Sequence, residues 1–495
     1  LRIEKKLIKN TGFVFFSGIA DKIFSLIFII YAARVLGPAN FGIYALIGSV
    51  SFLFFYLANF GIGPMAVREI ARDKNKAEEL FSHVLSMRIT LSIIGYPVLV
   101  MAANLLGYSE DVKYLIYISG LSAICLTFSE SFGILYRAFE KFKFPSVISV
   151  LVSFLRNLSN IFVLYLGYGL KGIVLVSLIG TLTGAVISGI WIRKRFLRYR
   201  FVFNFSVWKG LFSQSIPFAI LSFFQRGGAY LNILLLSKLP GPINGNMAMG
   251  YYNPSASIGG AVLMLPQSFW QAALPTVAAN AGNLKMVGGI IEKSTKSLLS
   301  VVIVPLIIAA TFFPGEILVL IFGEKYLASA PAFTILGWAY ALQVFNAPVS
   351  VTLSASREIR QFIPWAALVV GINIVLAVPL IMYYSFVGAA IAFLISKIVE
   401  TILRHYLLQT IWGIKSLNTL KSLLKLLAPI ILIFIILSIA KFSGLGIFTL
   451  VSLALILYFL ALFFIKDLRQ GIAVLIDSLR RRKRSDRWNK EGIGQ

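Results

Sequence analysis

Cysteine is almost missing from this chain: Cys125 is the only one in 495 residues. That excludes an intramolecular disulfide and any thiol-based metal cluster. Histidine is nearly as scarce, with His83 and His405 far apart, so no histidine-held metal is expected. Charge is also thin, at 13% of residues, where soluble domains carry about 25%. Acids are the rarer sign, 19 Asp and Glu against 46 Lys and Arg, which leaves a net charge of +27. No polar stretch is long enough to be an inserted soluble domain.

What fills the chain instead is apolar sequence: 58% hydrophobic residues and a mean hydropathy of +0.87. An apolar run of about 20 residues crosses a bilayer. Fourteen such runs are expected, at 11–36, 41–66, 84–106, 113–136, 147–168, 172–192, 211–237, 247–279, 297–321, 329–353, 362–384, 386–410, 421–441 and 444–465. The eighth is interrupted by Pro254, Pro266 and Pro275. The basic start, "LRIEKKLIKN", leads into a run too long for a signal peptide, so a first span is expected there. The connections then alternate. "GPAN", "GYSED", "GYGL" and "GEKYL" are short and poor in cations; "VREIARDKNK", "WIRKRFLRYRF" and the terminal "RRRKRSDRWNK" are basic. Positive loops stay in the cytoplasm, so both termini are expected there. The excess of cations is accounted for by loop placement, and nucleic acid is not an expected partner. The aromatic and basic "RKRFLRYRFVFNFSVWK" suits an amphipathic segment on the membrane surface.

That basic stretch divides six spans from eight. The two parts align with a shift of 204 residues, pairing Lys22 with Arg226, Arg34 with Lys238, Gly37 with Gly241 and Pro38 with Pro242. Past a four-residue insertion the shift becomes 208, pairing Gly42 with Gly250, Tyr44 with Tyr252, Arg88 with Lys296, Pro97 with Pro305 and Gly107 with Gly315. Both parts begin on the same side, which makes a parallel repeat about an axis along the membrane normal, as in many secondary transporters. The expected organisation is an N-terminal lobe (1–195), a basic linker (196–210), a C-terminal lobe (211–412), two additional spans (413–466) and a basic tail (467–495).

Ionisable groups inside spans are costly, about 2.5–3.5 kcal/mol each on insertion scales, and mark function. Asp21 and Lys22 lie near the middle of the first span and Arg226 lies deep in the seventh. Either the repeat-equivalent cations face an anion across a hydrated cavity, or Asp21 pairs with Lys22 or Arg226 and fixes packing. A phosphate or pyrophosphate suits the first arrangement, because Arg bonds it bidentately and Lys adds a point charge. Arg34, Arg88 and Arg156 are further candidate cavity cations. Arg88 and Lys296 also suit snorkelling at the start of their spans, and Arg34 and Lys238 suit anchoring at the ends of theirs. Asp21 and Glu130 are candidates for coupling to Na+ or H+, with pairing to Arg137 or Arg156 the alternative for Glu130. Lys397 and Glu400, three residues apart, are expected to pair on one helix face. Prolines Pro64, Pro254, Pro266 and Pro275 should loosen the second and eighth spans.

"RVLGPANFGIYAL" (34–46), a cation followed by Leu-Gly-Pro, then Phe-Gly and Tyr, resembles the polysaccharide flippases of the multidrug/oligosaccharidyl-lipid/polysaccharide exporter superfamily. "GLKGIVLVSLIG" (169–180) is similar to the start of that family's sixth span. The resemblance implies an all-α membrane protein of two pseudo-symmetric six-helix lobes plus two C-terminal helices around a central cationic cavity. It implies translocation of a polyprenyl-pyrophosphate-linked oligosaccharide, with Lys22 and Arg226 lining the cavity. The glycan lipid and membrane lipids are the expected partners, glycan biosynthesis enzymes are candidate ones, and no cofactor beyond a coupling Na+ or H+ is expected. Lipid II flippases share the architecture. Drug exporters of the superfamily rely more on acidic cavities, which the cationic excess here disfavours. A polytopic glycan polymerase or ligase needs positioned carboxylates, and the short outer loops hold no carboxylate pair.

Overall fold

The computed structural model describes residues 2–141, 143–195, 197–239, 241–279, 283–354, 359–414, 432–440, 443 and 446–464; within the helices some side chains, Arg226 among them, lie outside the description. Among the described residues there is helix and no strand. The helices are α1 (Arg2–Asn59), α2 (Ile62–Arg72), α3 (Ala77–Leu105), α4 (Glu110–Ala138), α5 (Lys143–Tyr165), α6 (Gly169–Arg195), α7 (Phe205–Lys238) and α8 (Gly245–Ala279). Then follow α9 (Leu284–Leu298), α10 (Val304–Phe312), α11 (Pro314–Phe322), α12 (Ala330–Phe345), α13 (Ala347–Ser354), α14 (Ile363–Trp412), α15 (432–440) and α16 (Ile447–Phe464).

Two helices are too long for one crossing, and each is broken at one residue. Helix α1 carries the first two expected spans and breaks at Gly37 (φ 71°, ψ 172°). Helix α14, with 50 residues, carries the eleventh and twelfth and breaks at Ser385 (φ 51°, ψ −130°). The backbone at Gly37 lies where side chains are essentially excluded. Gly37→Ala is therefore expected to lower stability by about 1–3 kcal/mol, and Ser385→Gly to raise it by about 1 kcal/mol, since glycine relieves the strain that serine bears. Thermal unfolding in detergent checks both.

The prolines leave different marks on the two spans expected to loosen. Helix α8 runs unbroken past Pro254, Pro266 and Pro275. The second span instead breaks earlier, at Phe60 and Gly61, both with positive φ. Pro64 then falls in the first turn of α2, where a missing N–H costs nothing. Pro305 has the clearest effect: it follows a five-residue π-helical turn, Leu299–Ile303, because it cannot donate to the ladder. The Ser300 carbonyl accepts a hydrogen bond from Tyr458 of α16.

The chain forms two compact units: Leu1–Ser257 with Leu318–Ala332 and Glu358–Phe393, and Ile258–Ile317 with Phe333–Arg357 and Leu394–Gln495. In the first, one core of Ile62, Met65, Phe81, Leu85, Phe132 and Trp208 ties α2, α3, α4 and α7 together, and Phe28 and Ala32 of α1 pack on Leu164 of α5 and Ile173 of α6. Helix α5 leaves Leu151, Phe154, Leu155, Leu158 and Phe162 exposed, an apolar face suited to acyl chains. In the second unit, Thr334 of α12 bonds the Ala310 carbonyl of α10 at 2.8 Å, and Trp338 stands edge-on to Phe434 of α15.

The linker has no helix or strand over 197–204, and α7 starts at Phe205, earlier than the expected span. Asn204 starts it: its side-chain oxygen accepts from the Ser206 and Val207 amides, a standard N-cap. Upstream, Ser82 and Ser86 of α3 accept from the Arg200 and Val202 amides at 3.1 and 2.9 Å. Serines one helical turn apart on α3 thus hold alternate amides of the linker.

Candidate functional site

Asp21 sits in the first arm of α1, inside the apolar segment. Its carboxylate accepts a hydrogen bond from Ser153 of α5, and Arg156 Nη2 lies 3.8 Å from the same oxygen. Asn157 donates to the Ser153 hydroxyl at 3.2 Å, and the buried Asn160 keeps an amide oxygen without a partner among the described residues. Ser153, Asn157 and Asn160 fall four and three residues apart, so they form one polar stripe on α5, opposite its apolar face. Sequence reasoning missed all three, although their helical spacing is a legible signal. Arg156, which has no acidic neighbour in sequence, finds its acid across the helix interface. Among the described residues Asp21 pairs with Arg156 and not with Lys22; the expected alternative, Arg226, has its side chain outside them.

Lys22 is exposed and has no ion-pair partner among the described residues. A lysine there is stable only against water or an anion. Arg226 lies within α7, but its side chain falls outside the described residues.

Arg88 is deeper than expected. Helix α3 begins at Ala77, so Arg88 stands three turns in; it is 4% exposed, and its Nε has no hydrogen-bond partner among the described residues. Glu130, on α4, is exposed and forms no pair with Arg137 or Arg156 among the described residues. Lys296 pairs with Glu292 at 2.9 Å, one turn away.

Arg34 is engaged. Its Nε donates to the Ile321 carbonyl at 2.9 Å and its Nη2 to that of Leu320, both in the last turn of α11. Beside it, the Ala33 carbonyl accepts from Tyr326 at 2.8 Å. Lys238, its repeat equivalent, lies 3.5 Å from the centroid of the Tyr108 ring. Tyr108 also donates to Ser237, whose own hydroxyl is spent on Leu234. Burial raises the Tyr108 phenol above its ordinary pKa, and the Ser237 bond opposes that rise.

The second unit holds a further charged cluster. Lys397 and Glu400 pair at 2.6 Å as expected, and Arg404 closes on the other oxygen of Glu400 while donating to Ser350 at 2.6 Å. All three side chains are largely buried.

The model of the family described as "Polysaccharide biosynthesis protein" matches residues 7–280. The chain belongs to that family. It is a multi-pass membrane protein, and over 411 residues, 79% of its length and 95% of the relative's, it is 24% identical to an "Uncharacterized membrane protein" of Methanocaldococcus jannaschii. Over 433 residues, 81% of this chain and 97% of the relative, it is 23% identical to the "Putative O-antigen transporter" of Shigella flexneri. Its fold is that of a lipid II flippase solved in an inward closed conformation, with a TM-score of 0.69 at 16% identity, over 93% of this chain and 99% of that one. The polysaccharide biosynthesis family is thus met here in a chain that is helical among its described residues and shares that fold, as "RVLGPANFGIYAL" led one to expect.

Proposed function

We propose that this member of the polysaccharide biosynthesis family is a flippase, not an enzyme, that carries polyprenyl-pyrophosphate-linked oligosaccharides across the cell membrane. The observation that carries the reading is Lys22: an exposed cation in the middle of an apolar span, with no ion-pair partner among the described residues and an Arg at the repeat-equivalent position. A pyrophosphate between Lys22 and Arg226 would neutralise both. Arg88 and Arg156 add positive potential, whereas Arg34 is committed to carbonyls and is the weakest of the candidate ligands. The polyprenyl tail stays in lipid while the sugar crosses by alternating access. Both termini face the cytoplasm, following the loop charges. The two repeats serve as the moving lobes. Glycan biosynthesis enzymes are the partners that would supply the substrate.

Asp21 is the better of the two coupling candidates. Its partners Ser153, Arg156 and the polar stripe of α5 would exchange with a bound Na+ or H+, whereas Glu130 is exposed and its charge acts on Arg88. Asp21→Asn is expected to abolish any stimulation of flipping by an imposed Na+ or pH gradient. The direct test of the function is leaflet-resolved movement of a fluorescent polyprenyl-pyrophosphate sugar in proteoliposomes. No movement above that of protein-free vesicles would refute it.

A further inference from the structure

The contacts around the Gly37 break obey the sequence repeat in a reciprocal way. Gly42 of α1 lies so close to α8 that a Cβ there would sit 2.0 Å from the Asn246 carbonyl oxygen. Gly250 of α8 lies so close to α1 that a Cβ there would sit 1.9 Å from the Pro38 carbonyl oxygen. The repeat pairs Gly42 with Gly250, and each glycine meets the carbonyl four residues before the other, Asn246 for Gly42 and Pro38 for Gly250. The two approaches are therefore one contact used twice, the pattern of a two-fold interface. Small residues let the helix backbones meet.

The flanking polar contacts repeat the pattern with a shift of 204, which carries Ala33 and Arg34 onto Ser237 and Lys238. Ala33 and Arg34 are held by Tyr326 and by the carbonyls of Leu320 and Ile321, which end the expected ninth span. Ser237 and Lys238 are held by Tyr108, just past the expected third span. Each repeat's first span is thus clasped, at the same end, by the third span of the other repeat. No contact of this kind follows from packing within one repeat.

We propose that this crosswise clasp is the outer gate of the flippase: Gly42 and Gly250 form its hinge-side seal, and Arg34 with Tyr326 and Lys238 with Tyr108 form its two latches. The assignment rests on the function and orientation proposed above, which put this end on the side where the glycan leaves. The latches are unequal. Arg34 places a cation on the negative end of a helix with charge-assisted bonds, whereas Lys238 makes a cation–π contact. Releasing the first should open the gate more.

The test needs no glycan. In the full chain carrying Cys125→Ser, a single cysteine replaces the fully buried Ala33 or, separately, Ala248, which is 1% exposed. Proteoliposomes are labelled with a membrane-impermeant maleimide from each side. Arg34→Gln with Tyr326→Phe is expected to raise the labelling rate from the outer side about tenfold, and Lys238→Met to raise it less. Both variants keep the glycine crossing and should remain monodisperse in detergent. Gly250→Ala, which drives a methyl into the Pro38 carbonyl, should expose both cysteines most if it folds. Unchanged labelling in folded Arg34→Gln with Tyr326→Phe and in Lys238→Met would overturn the proposal. So would labelling that rises only from the cytoplasmic side. If the variants open the gate but added polyprenyl-pyrophosphate sugar never alters labelling, the gate stands and the choice of substrate falls.

Discussion

Replacing Lys22 and Arg226 together by Ala is expected to stop glycan flipping while the protein still inserts and purifies as a folded species. A hydrogen bond to a charged group is worth about 1.5–3 kcal/mol. Losing two such anchors on one pyrophosphate should weaken binding by about two to four orders of magnitude. Each single variant should lose less, because the remaining cation still faces the phosphate. Lys22→Arg should retain activity, since the charge is kept and bidentate bonding is gained. The vesicle assay reads transport, and binding of the fluorescent lipid reads the affinity. Transport at the parental rate in the double variant would remove both residues from the substrate path.

The second large effect is on stability. Glu400→Ala leaves Lys397 and Arg404 facing each other in a largely buried site. Removing one partner of a buried ion pair costs about 3–5 kcal/mol, so a marked drop in unfolding temperature is expected, at unchanged helix content. Replacing all three residues by apolar ones of similar volume should recover most of that loss, because a buried ion cluster competes poorly with a packed core. If the triple variant is as unstable as Glu400→Ala, the cluster does more than satisfy itself. A transport defect in a stable triple variant would give it a role in the cycle.

The places where expectation and structure part share one cause. The pairing of Lys397 with Glu400 was legible because its partners are three residues apart on one helix. The pairing of Asp21 with Arg156 was not, because its partners lie on α1 and α5, and spacing along the chain says nothing about which helix faces which. Arg404 escaped notice for a milder reason: it stands four residues from Glu400, within reach of a periodicity argument, yet its bond to Ser350 of α13 depends on packing. Arg34 read as a candidate substrate ligand because it ends a span beside a family-like motif. Its carbonyl partners lie 286 and 287 residues away, and nothing local announces them. The prolines were legible only in part: α8 stays helical past Pro254, Pro266 and Pro275, while the second span breaks at Phe60 and Gly61, just before Pro64.

The sequence by itself determined the medium and the helical class. Both follow from a quantity that accumulates along the chain, apolar length against bilayer thickness. The family was legible too, because its motif is local and its Gly37 and Gly42 answer backbone demands. Only the tertiary structure decided which charge meets which, that the two first spans are clasped crosswise, and that Gly42 and Gly250 form one reciprocal contact. Partnerships between helices depend on distances of a few ångströms between segments hundreds of residues apart, and no pattern within a segment encodes them.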